Sequence, residues 1–150
     1  MPSPTSCPRV VDHLRAFLGE WRIESVLPLD PPVVRHGRTV FEAMPGGHYL
    51  LQLWEGDDVD TASGVAIITF HADNDTYEQH SFDEHGVVRV YGMTFYDGVW
   101  RLWRDAPGLS QCFTGVFSSG GRTIEGRWEK SGDDGATWEH DADVTFTKVR

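Results

Sequence analysis

From about Glu20 to its end, the chain alternates short runs rich in β-branched and aromatic residues with clusters of Gly, Asp, Asn, Ser and Pro. The runs cover residues 21–27, 34–43, 48–54, 64–71, 76–82, 87–95, 99–104, 111–117, 122–130 and 138–148. Most of the gaps are too short for the crossover helices that parallel strands require, so consecutive strands must pair antiparallel. A regular meander of this kind closes, or nearly closes, on itself. The expected fold is therefore all-β, a ten-stranded antiparallel up-and-down barrel. No repeated blade motif argues for a propeller. The natural site of such a barrel is its lumen, so the inward-facing side chains carry the functional question.

One helix precedes the strands. Val10, Val11, Leu14, Phe17 and Leu18 recur at helical spacing, Pro8 suits a first turn and Gly19 a stop, which predicts a short helix covering one end of the barrel. Residues 1–8 read as a flexible tail and residues 9–150 as a single domain, because 150 residues with 39% hydrophobic content build one core and leave no length for a second. The formal net charge of −10 lacks the basic footprint that nucleic acid or an anionic membrane surface demands. No apolar stretch approaches the roughly 20 residues of a membrane-spanning helix, and the first residues lack a secretory pattern, so a cytoplasmic location is expected. Cys7 and Cys112 read as two unpaired thiols.

The sharpest local motif is Ser131-Gly132-Asp133-Asp134-Gly135-Ala136-Thr137-Trp138. A short Asp side chain readily accepts hydrogen bonds from backbone amides two residues on, so Asp133 is expected to brace a hairpin turn and not to act in catalysis.

Strand alternation assigns faces. In the last run Trp138, His140, Ala142, Val144 and Phe146 share the expected inner face, and in the run before it Ile124, Gly126 and Trp128 do. Phe113 and Phe117 join that wall. Between residues 76 and 104 both faces carry apolar groups, so alternation leaves open which way His80, Tyr91, Met93, Arg101 and Trp103 point. Large residues on an outer face suggest a partner, and a second copy of the chain is the simplest one. Asp57, Asp58 and Asp60 read as a solvated loop, and the spacings His71-x-Asp73-x-Asp75 and His80 to His85 as strand ends and turns, so no metal site is expected. There is no nucleophile elbow, phosphate loop or dinucleotide fingerprint.

Gly19-Glu20-Trp21 resembles the Gly-x-Trp element that opens lipocalins and related calycins, and the whole-chain layout resembles a bacterial calycin-like family of unknown function. The resemblance implies a barrel similar in architecture to fatty-acid-binding proteins and no assigned chemistry. The segment from Ser131 to Trp138 resembles the Asp-box of sialidase propellers, which implies a hairpin device.

These readings converge on a barrel that binds a small, partly apolar or amphipathic molecule in its lumen, with no cofactor called for by any motif. The walls would be Trp128, Trp138, Phe113 and Phe117, with His140 as the orienting polar group and Tyr91 and Arg101 as further lumen candidates. One alternative is a cyclase or isomerase in which His140, with Tyr91 or Arg101, moves a proton. A second, implied by the nitrobindin branch of the calycins, is haem binding through a neutral His.

Overall fold

The computed structural model describes residues 9–59, 61–71 and 76–150, with only the backbone of His71. The tail at residues 1–8, Cys7, Asp60, and the Asp73 and Asp75 of the metal-like spacing lie outside the described residues.

The strands are β1 (Gly19–Leu27), β2 (Val33–Ala43), β3 (Leu50–Gly56), β4 (Gly64–His71), β5 (Thr76–Asp83), β6 (Val88–Tyr96), β7 (Val99–Arg104), β8 (Ser110–Phe117), β9 (Thr123–Ser131) and β10 (Glu139–Lys148). Each pairs antiparallel with its neighbour in sequence, and β1 pairs with β10 from Trp21↔Lys148 to Val26↔Asp143, which closes the sheet. Closure leaves no strand with an unpaired row of amides and carbonyls. No helix among the described residues is long and apolar enough to cross a membrane.

The expected N-terminal helix is present but short. It comprises α1 (Val10–His13) followed by a tighter 3-10 turn over Arg15–Phe17, tied to the β2–β3 turn by the Val11 amide donating to the Gly47 carbonyl at 3.1 Å. Its apolar stripe, Val10, Leu14 and Phe17, is buried. The Phe17 ring enters the barrel end and meets Phe41, Phe95, Trp100 and Phe117 at centroid separations of 5.0 to 5.3 Å, mostly edge to face. That geometry suits aromatic quadrupoles and plugs the end with packed rings. Trp21 fixes the turn from below by donating its Nε1–H to the Phe17 carbonyl at 2.8 Å.

The outer surface carries an apolar row. Across β3, β4, β5 and β6, Leu53, Val65, Phe82 and Val88 stand opposite one another in register, all of them exposed, and Val90 is exposed nearby.

Candidate functional site

Beyond the aromatic plug the barrel is hollow. A cavity of about 290 Å³ runs from Trp100 and Phe146 at its floor to Asp83 and Val87 at its rim. Trp100 belongs to both halves, since its ring touches Phe17 of the plug at 5.1 Å and Phe113 of the cavity at 4.8 Å.

Two unlike walls enclose this space. On β7 to β10 the wall is apolar, formed by Leu102, Phe113, Trp128, Val144 and Phe146. Phe113 lies flat against it because Gly126 has no side chain: a Cβ there would stand 2.5 Å from the ring. Trp128 packs on Phe113 at 5.0 Å and on Tyr91 at 5.8 Å. The facing wall, on β3, β5 and β6, is polar and carries Gln52, Gln79, Ser81, Arg89 and Tyr91. Gln111, on β8, has a side-chain oxygen that accepts from both Arg89 Nη1 and Tyr91 Oη at 3.2 Å and so ties those two groups to the neighbouring strands.

The polar wall is under-satisfied. Gln52 and Gln79 are 8% and 6% exposed and Trp100 is 3% exposed, yet Gln52 Oε1, Gln79 Oε1 and Trp100 Nε1 have no hydrogen-bond partner. Buried polar atoms are nearly always paired, and each left unpaired costs free energy. All three belong to residues that line the cavity.

Of the residues singled out by alternation, Trp128, Phe113 and Tyr91 line the cavity. Phe117 faces inward but belongs to the plug, against Phe17, Trp21 and Phe95. Arg101 is exposed on the outer face, as is His80, which bonds Glu78, while Tyr91 and Met93 point in. Trp103 lies on the outer face over Gly92.

The placement of His140 and Trp138 departs from the expectation. The ladder between β9 and β10 shifts register between His140 and Ala142, so Asp141 is an extra residue and the alternation changes phase there. Ala142, Val144 and Phe146 keep the expected parity, while His140 pairs opposite Glu129 and turns outward. Its Nε2 lies 3.0 Å from Asp143 Oδ1, and Arg127 Nε donates to the same oxygen at 3.2 Å. These neighbours lower the Asp143 pKa even though partial burial opposes them. Trp138 precedes β10, sits in the hairpin with its ring against Gly135, and is 41% exposed. The proton-transfer set of His140 with Tyr91 or Arg101 is therefore not assembled, because only Tyr91 faces the lumen.

Haem fares no better against the residues present. No histidine among the described side chains lines the cavity, and His36, His80 and His140 pair with acids on the outer face. Neither a coordinating imidazole nor a step through haem follows from this lining. Among the described residues no group of three His, Cys, Asp or Glu could hold a metal ion.

The loop from Ser131 to Trp138 is braced as its sequence suggests. Asp133 accepts from the Thr137 hydroxyl and from the Thr137 amide at 2.9 Å, and the Ser131 hydroxyl donates to it at 2.8 Å while accepting from the Gly135 amide. The Thr137 and Ser131 bonds pull the Asp133 pKa down from 3.8 to about 2.

Among the lining residues that alternation did not single out are Gln52, Gln79, Ser81, Arg89 and Trp100. A signal was available for two of them: Gln52 shares a face with Leu50 and Trp54, and Gln79 with Tyr77, so each is a polar group on an otherwise apolar inner stripe.

No protein-family profile and no curated protein matches this chain. Solved structures do. Rv2717c from M. tuberculosis superposes with a TM-score of 0.66 at 12% identity over 97% of this chain and 100% of its own. The S-type phycobiliprotein lyase CPES from Guillardia theta superposes with a TM-score of 0.64 at 11% identity, over 95% of this chain and 94% of its own. At such identities the likeness is one of fold, and the fold they share with this chain is a β-barrel of the calycin-like type.

Proposed function

We propose that this protein binds a small, partly apolar molecule in the open half of its barrel. The observation that carries the reading is a cavity in which an aromatic wall of Phe113 and Trp128 stands opposite a polar wall of Gln52, Gln79, Ser81 and Arg89. An apolar lining with a few convergent polar groups is the usual composition of a small-molecule site. A cavity of about 290 Å³ suits a compact ligand of one or two rings or a short chain. The neighbouring folds agree with binding but assign no ligand, and a lyase or other activity is not carried over from them.

Native mass spectrometry of the purified protein tests this. The expected result is a retained small-molecule mass that disappears in Ser81→Phe, which fills the lumen from the polar wall, while the far-ultraviolet circular dichroism is unchanged. Retention of the same mass by Ser81→Phe would place binding outside the lumen and overturn the reading.

We also propose that the chain pairs with a second copy of itself through the outer row Leu53, Val65, Phe82 and Val88. A contiguous apolar row without charge is the surface most readily buried against a copy of itself. Sedimentation of the wild type as a dimer and of Phe82→Glu as a monomer is the expected outcome; a wild-type monomer refutes it.

A further inference from the structure

The open end of the lumen carries a positive charge that the fold itself does not use. Arg89 lies on the inner stripe of β6, nearer the rim than Tyr91 and opposite Ser81 of β5 in register. Both Ser81 and Arg89 line the cavity, and the small serine leaves the flank of the long side chain open. A guanidinium has five N–H donors. One of them, on Nη1, reaches the Gln111 side-chain oxygen, and Tyr91 Oη donates to that same oxygen. A neutral donor would serve Gln111 as well, so this bond accounts for where the side chain lies and not for its charge.

No acid of the fold answers that charge. Among the described residues Arg89 forms no ion pair, whereas Arg38 and Arg127 on the outer face are each bonded to a carboxylate. The rim acid, Asp83, is occupied with the β5–β6 turn, where its Oδ1 accepts from the His85 and Val87 amides at 2.9 and 3.0 Å. A second arginine adds to the positive side. Arg104 stands opposite Gln111 in the β7–β8 ladder, in step with the inward Trp100 and Leu102, and donates to the Leu109 carbonyl at 3.1 Å. Gln111 is in turn two residues from Phe113 on β8, which puts the Arg89 guanidinium at the edge of the aromatic wall.

Resting on the lumen reading above, we propose that the ligand is a compact apolar acid, its ionised carboxylate paired with Arg89 at the rim and its body lying on Phe113 and Trp128. The planar guanidinium presents parallel N–H donors that match a carboxylate, and charge-assisted bonds of this kind are roughly twice as strong as neutral ones. The formal net charge of −10 repels anions from the surface as a whole, so the choice of an acid is made locally, at this group.

Three probes with one ring body test this: naphthoate, naphthamide and naphthalene, titrated calorimetrically into the full chain at neutral pH. Naphthoate should bind at least about tenfold more tightly than the other two. Arg89→Met, which keeps an apolar stem and removes the charge, should bring naphthoate down to the level of naphthamide while naphthamide itself changes by less than about threefold. Should that variant fail to fold, Arg89→Gln keeps a neutral donor towards Gln111 and should show the same loss. Tightest binding of naphthamide or naphthalene would overturn the inference in favour of an uncharged ligand. Equal naphthoate affinity in the wild type and in Arg89→Met or Arg89→Gln, or binding of no probe, would overturn it as well. In each of those cases a native mass lost in Ser81→Phe would leave the lumen reading standing, so the two failures are distinguishable.

Discussion

The two halves of this barrel are built from the same strands and the same alternation, and they end up as opposites. At the helix end Phe17 enters from above and meets Phe41, Phe95, Trp100 and Phe117, so the interior is solid. At the other end nothing is inserted, and Gln52, Gln79, Ser81 and Arg89 face Phe113 and Trp128 across a cavity. A ten-stranded barrel is wider than its own side chains need. It is filled only where an additional element is supplied, so the short N-terminal segment decides which half is core and which half stays hollow.

The largest test of this contrast is Phe17→Ala. Removing a fully buried ring with four aromatic neighbours should lower unfolding stability by about 3 to 5 kcal/mol, measured by denaturant titration. A loss below about 1 kcal/mol would mean that the plug is no more a core than the cavity is. Gln52→Leu makes the complementary test in the open half. It removes one bond to Thr39 but also an unpaired buried oxygen, so stability should change by less than about 1 kcal/mol or rise. A cost like that of Phe17→Ala would erase the distinction between the halves.

His140→Ala should be smaller still, under about 1 kcal/mol, because the pair with Asp143 is on the outer face. It should leave ligand affinity unchanged, and a large affinity loss would put the imidazole back in the lumen. The smallest effect concerns the rim hairpin. Asp133 has its pKa lowered to about 2 from an ordinary 3.8, so its contribution to stability is fully present above about pH 4 and is lost as the pH falls towards 2. Acid titration of Asp133→Asn against the wild type should show the two curves converging over that window.

Strand positions were legible because turn chemistry is local: Gly, Asp and Pro mark the breaks, and short gaps force antiparallel pairing. The faces of β8 and β9 were legible for a similar reason, since an unbroken ladder keeps period two, and Phe113, Ile124 and Trp128 all point inward. The polar wall was not read: Gln52 and Gln79 were detectable only as polar breaks in apolar stripes, and Ser81 and Arg89 look like ordinary surface residues until closure brings β5 and β6 to face the aromatic strands. Nor did anything in Glu139-His140-Asp141-Ala142 mark the bulge.

By itself the sequence determined the strand order, the antiparallel barrel, the covering helix and the braced turn at Asp133, all of which follow from neighbours a few residues apart. Tertiary structure alone decided the site. The phase of β10 depends on an extra residue accommodated against β9, and that single shift turns His140 out to Asp143. The pairing of a polar wall with an aromatic one depends on which strands closure sets opposite each other. Contacts between strands far apart in the chain are set by closure and register, and a one-residue change in register reverses every face it passes through.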